Sequence, residues 1–134
     1  MRSHSIEIRV RYGETDQMGY VYYGNYAQYF EMGRVEWLRN LGITYKRMEE
    51  LGIMLPVLNL NTHYHKPAKY DDLLSLKTTL VKKPSVRISF EFELYNQEGE
   101  LLTTAECSLV FIDMKKNRPT KAPNYILEKV DSLF

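Results

Sequence analysis

One short segment of the sequence combines a carboxylate with the start of a long helix. Asp16 lies in a loop that contains Gly13, Gly19 and Gly24, and a helical pattern follows this loop directly. Backbone N–H groups at the start of a helix have no partner within the helix and can donate to negative charge. One such N–H can polarise a carbonyl, such as that of a thioester, while Asp16 attacks the carbonyl carbon or activates a water. The alternative is that Asp16 only caps a turn or the helix.

Other motifs with catalytic or metal-binding chemistry are absent from the sequence. There is no phosphate-binding glycine loop, no H-E-x-x-H pair, no C-x-x-C pair and no G-x-S-x-G nucleophile motif. His63 and His65 lie two residues apart without a third ligand, so we interpret them as polar residues of a strand. His4 is the remaining histidine and lies near the terminus, which argues against a Ser-His-Asp triad. The sequence therefore predicts no metal site.

The periodicity of apolar residues predicts one long helix among several strands. Residues 4–12 alternate between apolar and polar side chains, which indicates a strand. From Asn25 to Leu41 apolar residues recur every three or four positions, which indicates an amphipathic helix. Asn25 and Gln28 resemble a capping box at its start, and Gly42 is a stop signal. The pattern also predicts a short helix over 44–51, extended segments over 53–65, 73–83, 85–96 and 101–114, and a short helix within 123–134.

This order of elements predicts an α+β fold with a five-stranded antiparallel sheet. The helix face that carries Phe30, Trp37 and Leu38 is expected to pack against that sheet. One helix covers only one face of so small a sheet. We therefore expect the other face to be covered by a partner in a homo-oligomer.

Length, charge and cysteine content restrict the class of protein. The chain has 134 residues, so residues 1–134 are predicted to form a single domain. A net charge of +1 argues against binding to nucleic acid or to anionic membranes through charge alone. The single cysteine, Cys107, excludes an intramolecular disulfide and is expected to be buried. We see no secretory signal and no membrane-spanning run, and we expect a cytoplasmic protein.

Three stretches of the sequence resemble a known enzyme family. Residues 9–26, RVRYGETDQMGYVYYGNY, are followed by the helix segment 30–38, FEMGRVEWL, and later by residues 65–72, HKPAKYDD. Together they resemble the 4-hydroxybenzoyl-CoA thioesterase family of hotdog-fold acyl-CoA thioesterases. The resemblance covers roughly residues 5–115 in the same order of elements, and the Tyr-x-x-Thr-Asp-x-x-Gly core at 12–19 is its most specific part.

The resemblance implies a hotdog fold, in which a curled antiparallel sheet of about five strands wraps around a long central helix. It implies hydrolysis of acyl-CoA to a carboxylic acid and free CoA without a metal or redox cofactor. Asp16 matches the family's catalytic aspartate, as nucleophile or general base. Tyr23 matches the position whose backbone N–H binds the oxyanion, and Tyr12 matches a tyrosine near the site. Hotdog subunits pair with their sites at the interface, which implies a homodimer or homotetramer.

At Tyr23 the sequence departs from one subgroup of the family, which carries a histidine there. The backbone N–H does not depend on the side chain, whereas a phenol gives no acid–base help at neutral pH because it titrates near pH ~10. Gln17 and Met18 replace small residues of that subgroup and are expected to alter the acyl pocket. Four tyrosines flank the loop and are predicted to line this pocket, for an aromatic acyl group or a medium chain: Tyr20, Tyr22, Tyr26 and Tyr29.

Further residues are predicted to bind the substrate. Met18, Gly19 and Tyr26 belong to the loop and the helix start that the resemblance covers. The phosphates of CoA require cations, and basic clusters occur at 82–87 and 115–121. The candidates in these clusters are Lys82, Lys83, Arg87 and Arg118. The alternative is that each cluster is only a solvated turn.

Two other functions are considered beside thioester hydrolysis. The tyrosine at position 23 motivates a non-catalytic hotdog protein that binds an acyl thioester without cleaving it. A hydratase or dehydratase of the same fold fits less well, because those enzymes use a histidine with a carboxylate on the central helix. His63 and His65 come after that helix. Both CoA and acyl carrier protein are open as the carrier of the acyl group.

Overall fold

A helix of 15 residues packs on an antiparallel sheet in the computed structural model, which describes residues 2–134. In chain order the elements are β1 (Ser3–Arg9), α1 (Tyr26–Asn40), α2 (Tyr45–Glu50), β2 (Ile53–Met54), β3 (Val57–Tyr64), β4 (Leu73–Leu80), β5 (Arg87–Tyr95), β6 (Leu101–Val110), β7 (Ile112–Asp113), β8 (Arg118–Pro119) and α3 (Asn124–Asp131). The main sheet has five strands in the order β1–β4–β5–β6–β3, and every neighbouring pair is antiparallel. The predicted α+β fold is confirmed.

The observed strands differ from the predicted segments in two ways. A proline divides one predicted run, and three very short strands were not predicted. Pro56 lies between β2 and β3, so the run predicted over 53–65 is divided in two. β2, β7 and β8 form a second, three-stranded sheet that the sequence did not predict. Each of these strands has two residues, which is too few for an alternating pattern to be recognised. The short helix predicted within 123–134 is confirmed as α3.

The apolar face of α1 forms the core with the inner side of the sheet. Phe30, Trp37 and Leu38 are fully buried, as predicted. The ring of Phe30 lies 4.8 Å from that of Phe92, and the ring of Trp37 lies 5.2 Å from that of Phe90. Burial of large aromatic side chains is the main stabilising contribution here, because each removes a large apolar area from water.

The predicted capping box at the start of α1 is wrong. Asn25 precedes the helix, but its side chain accepts no hydrogen bond from the first turn. Its Nδ2 donates instead to the carbonyl of Glu14 at 2.9 Å. The side chain therefore ties the start of the helix to the preceding loop. At the other end Gly42 has a φ of +83°, the left-handed conformation that ends helices, as predicted.

The face of the sheet that α1 leaves uncovered is polar. Lys77 of β4, Glu91 and Glu93 of β5 and Glu106 of β6 point outward between buried neighbours. An antiparallel sheet with such a face is stable in water. The expectation that this uncovered face needs a partner is therefore wrong. The homo-oligomer itself stays a prediction. Exposed apolar residues lie instead on the edge strand β3: Val57, Leu58, Leu60 and Tyr64.

Within residues 2–134, no helix combines the length and the apolar character that a membrane crossing requires.

Gly33 allows α1 to approach β4 closely. A Cβ at this position would lie 2.5 Å from Thr78 Oγ1 and 2.7 Å from Leu76 Cδ2, both in the buried core. We expect Gly33→Ala to lower the free energy of unfolding by roughly 1–3 kcal/mol through overpacking, although alanine favours a helix. Urea denaturation measures this change. Gly13→Ala is the control, since a Cβ there meets nothing within 4 Å. Wild-type stability of Gly33→Ala would contradict the close packing.

Candidate active site

Asp16 lies at the wall of a cleft of about 350 Å³ beside the start of α1. Met18, Tyr23 and Tyr26, which the sequence predicted to belong to the site, line the same cleft. The opposite wall comes from the end of β3 and the residues that follow it, including Tyr64. The structure thus brings the candidate carboxylate, the helix start and an aromatic wall together.

The carboxylate of Asp16 is held by one of its two oxygens. Oδ1 accepts hydrogen bonds from the backbone N–H groups of Met18 at 2.9 Å and Tyr20 at 3.2 Å. Gly19 has a φ of +77°, and this left-handed residue turns the loop back toward Asp16. No hydrogen bond within the described chain involves Oδ2. Asp16 therefore caps a turn, which was the alternative interpretation of this residue. It also presents a half-buried carboxylate to the cleft.

The turn that leads into α1 contains backbone donors without acceptors. The N–H of Tyr22 donates to Glu14 O, and the N–H of Asn25 donates to Tyr22 O, both at 2.9 Å. Across residues 2–134, no backbone carbonyl or side chain accepts from the N–H of Tyr23 or of Gly24. These two N–H groups are the orphan donors that a helix start provides, and they are available to a ligand.

Glu14 connects the loop to the buried side of α1. Its carboxylate accepts from the backbone N–H of Arg11 at 2.9 Å, from the Arg11 guanidinium, and from the hydroxyl of Tyr29 at 2.9 Å. Partial burial alone would raise the pKa of Glu14. The hydrogen bonds from Arg11 and Tyr29 outweigh burial and hold this pKa below its usual value. Glu14 is thus a charged acceptor two residues before Asp16.

The tyrosines near the loop take three different places. Tyr20 and Tyr26 line the cleft, and burial raises the pKa of Tyr26, which keeps its hydroxyl protonated at neutral pH. The expectation for Tyr29 is wrong, because its side chain is 1% exposed and is bonded to Glu14 beneath the loop. Tyr22 is also outside the cleft wall, because its ring packs against that of Tyr23 at 4.8 Å.

Several predicted substrate-binding residues lie outside the cleft of this chain. Tyr12 is exposed, and its ring edge packs against Tyr70 at 5.8 Å. Gly19 shapes the loop without lining the cleft. Lys83 pairs with Asp131 at 2.6 Å. The basic residues proposed for CoA phosphates are absent from the cleft wall: Lys82, Lys83, Arg87 and Arg118. Their role toward CoA stays a prediction.

Sequence reasoning missed the wall formed by Tyr64, His65 and Lys66. Backbone bonds hold this segment against the loop, since the N–H of Val21 donates to Ala68 O at 2.8 Å. His65 Nε2 lies 3.2 Å from Thr104 Oγ1. Lys66 Nζ lies 2.5 Å from Glu100 Oε2. A signal was present, because residues 65–72 belong to the stretches that carry the family resemblance.

Lys66 and Pro67 also border a second depression of about 390 Å³. Its walls are mainly charged and amide side chains, including Asp72 and Gln97, which bond each other at 3.1 Å. It contains neither an apolar wall nor the helix start. In the part of the chain that the structure describes, no group of three or more His, Cys, Asp or Glu residues is arranged to hold a metal ion. The cleft beside Asp16 is therefore the better candidate.

Comparison with known proteins identifies relatives along almost the whole chain. Residues 10–130 match the thioesterase-like superfamily. YneP of Bacillus subtilis (strain 168), provisionally named an acyl-CoA thioesterase, is 36% identical over 113 residues, which cover 84% of this chain and 82% of that protein. The acyl-CoA thioesterase YbgC of Haemophilus influenzae is 32% identical over 123 residues, covering 91% and 90%. A DHNA-CoA thioesterase from Staphylococcus aureus is 35% identical, with a TM-score of 0.93 over 99% of this chain and 91% of that chain.

The hydrogen bonds to Asp16 predict a difference between two substitutions. Asp16→Ala removes the acceptor of the Met18 and Tyr20 amides, so we expect these amides to exchange with solvent roughly tenfold faster or more. Asp16→Asn keeps an acceptor oxygen and is expected to retain most of the protection. Hydrogen exchange followed by NMR measures both. Unchanged exchange at Met18 and Tyr20 in Asp16→Ala would contradict the bonding described here.

Proposed function

Because this chain belongs to the thioesterase-like superfamily, we propose that it hydrolyses acyl-CoA with Asp16 and the Tyr23 backbone N–H as the reacting groups. The predicted family, the hotdog fold and the thioesterase class are confirmed. One observation carries the residue assignment. The Asp16 carboxylate, bonded through one oxygen only, lines the same cleft as Tyr23, whose N–H has no acceptor within residues 2–134.

Two routes are compatible with this pair of groups. In the nucleophilic route, Asp16 Oδ2 attacks the carbonyl carbon, the CoA thiolate leaves, and water then hydrolyses the mixed anhydride. In the general-base route, Asp16 takes a proton from the water that attacks the carbonyl. In both, the Tyr23 N–H stabilises the oxyanion. A thiol titrates near pH ~8.5, so the leaving thiolate needs little protonation. The reaction therefore needs no acid at the side chain of position 23.

The cleft wall supports an aromatic acyl group as the substrate. Tyr20, Tyr26 and Tyr64 surround the carboxylate with phenol rings, and the rings of Tyr26 and Tyr64 lie 5.1 Å apart, edge to face. Rings bind another ring by offset or edge contacts. The Staphylococcus aureus relative, a DHNA-CoA thioesterase, gives independent support.

A second copy of this chain is proposed to complete the cleft. β3 is an edge strand, so one side of its backbone has no neighbour in the main sheet. Leu58 and Leu60 on this strand are 48% and 38% exposed, which favours burial against a partner. Tyr64 ends the same strand and lines the cleft, so a partner on β3 would adjoin the site. Lys66 is the cation in this wall. The more distant basic residues meet CoA only if the partner brings them near.

Replacement of Asp16 tests the reaction. We expect Asp16→Asn to lower kcat for aroyl-CoA substrates by roughly 10²–10⁴-fold, because the variant keeps the turn and loses the charge. Release of free thiol from benzoyl-CoA and octanoyl-CoA measures the rate. Asp113→Asn is the matched control, since Asp113 Oδ1 likewise accepts from two backbone N–H groups, of Lys115 at 2.9 Å and Lys116 at 3.1 Å.

Full activity of folded Asp16→Asn would remove Asp16 from the mechanism. Saturable binding of both substrates by the wild type, without thiol release, would favour the alternative of a binding protein.

The edge strand gives a separate test of the oligomer. We expect Leu60→Lys to reduce the mass in solution to that of one chain, 15.9 kDa, because a charge replaces a buried apolar contact. Asn61→Lys is the control, since it places the same charge on the opposite face of β3, beside Glu106. Light scattering after size-exclusion chromatography measures the mass. An unchanged oligomer in Leu60→Lys would exclude this face as the interface.

A further inference from the structure

Glu14 uses its side chain and its carbonyl to hold two different parts of the site. The carboxylate bonds the Tyr29 hydroxyl on α1 at 2.9 Å and the Arg11 backbone N–H at 2.9 Å. The carbonyl accepts from the Tyr22 N–H and from Asn25 Nδ2, both at 2.9 Å. These four bonds reach the end of the first strand, the turn before α1, and α1 itself. A single residue therefore joins both ends of the loop that contains Asp16.

Glu14 is close in the chain to one proposed reacting group and is bonded to the neighbour of the other. Asp16 follows it by two residues, and Tyr22, which bonds its carbonyl, directly precedes Tyr23. Movement of Glu14 would therefore displace both proposed reacting groups relative to each other. Tyr29 of α1 is 1% exposed and lies in the protein core, so it is a rigid anchor for the Glu14 carboxylate.

We propose that Glu14 is a positioning residue, which acts through Tyr29 to fix the distance between the Asp16 carboxylate and the Tyr23 N–H. Glu14 does not line the cleft and exchanges no proton with the substrate. Its effect is on the geometry of attack, where a displacement of about 1 Å can cost roughly 10²-fold in rate. This inference rests on the proposed function, because it assumes that Asp16 and Tyr23 act on the same carbonyl.

A double-mutant cycle tests the bond between Glu14 and Tyr29. We expect Glu14→Ala and Tyr29→Phe each to lower kcat for the best aroyl-CoA by roughly 10–100-fold, with KM nearly unchanged. The double variant is expected to be no slower than the slower single variant, because Glu14→Ala already removes the acceptor of the Tyr29 hydroxyl. Multiplication of the two single effects would overturn the claim that Glu14 acts through Tyr29.

Tyr45→Phe is the matched control for loss of a buried hydroxyl. The Tyr45 hydroxyl accepts from Arg34 Nε of α1 at 3.3 Å and is absent from the cleft wall. We expect this variant to lose thermal stability as Tyr29→Phe does, while kcat stays at the wild-type value. Equal kcat losses in Tyr45→Phe and Tyr29→Phe would show a general effect of stability and overturn the proposal.

The outcomes separate this inference from the proposed function. Wild-type kcat in both Glu14→Ala and Tyr29→Phe, together with an inactive Asp16→Asn, would overturn only the positioning role. Full activity of Asp16→Asn would overturn the function itself. Should Glu14→Ala fail to fold, Tyr29→Phe against Tyr45→Phe gives the same decision, because Tyr29→Phe removes only the hydroxyl that Glu14 binds.

Discussion

A helix cannot satisfy the first N–H groups of its own backbone, and the site in this protein is built around that constraint. Most proteins cover such groups with a capping side chain. Here the side chain of Asn25, which occupies the capping position, bonds the carbonyl of Glu14 instead. In the turn that precedes the helix, the N–H groups of Tyr23 and Gly24 also lack acceptors within residues 2–134. A donor left free beside a carboxylate is what the chemistry of an acyl carbonyl requires.

The rest of the fold holds this donor and the carboxylate in place. The loop bonds Ala68 and Gly19 bonds Tyr70, so the loop is anchored to the segment after β3 as well as to α1. α1 in turn is fixed by its aromatic contacts with β5 and by its close approach to β4 at Gly33. A site carried by a loop is thereby supported on two sides by rigid elements, which limits the freedom of Asp16.

Periodicity predicted the parts of the fold that long patterns describe, and the family motif predicted the loop. The existence and order of α1 and the five main strands follow from periodicity over many residues, whereas β2, β7 and β8 are too short to show it. The capping box at Asn25 was wrong because a distant carbonyl, that of Glu14, competes for the side chain. Pairing between residues distant in the sequence likewise brought Tyr64 and Lys66 to the cleft, and the periodicity of apolar residues does not contain that information.

The position of a bound thioester decides whether Asp16 and the Tyr23 N–H act on the same carbonyl. A crystal structure of Asp16→Asn with an aroyl-CoA would show the scissile carbonyl in the cleft. We expect its oxygen within about 3 Å of the Tyr23 nitrogen, and its carbon facing the side chain at position 16. A carbonyl bound beyond hydrogen-bond reach of the Tyr23 nitrogen, or on the far side of Lys66 in the polar depression, would contradict it.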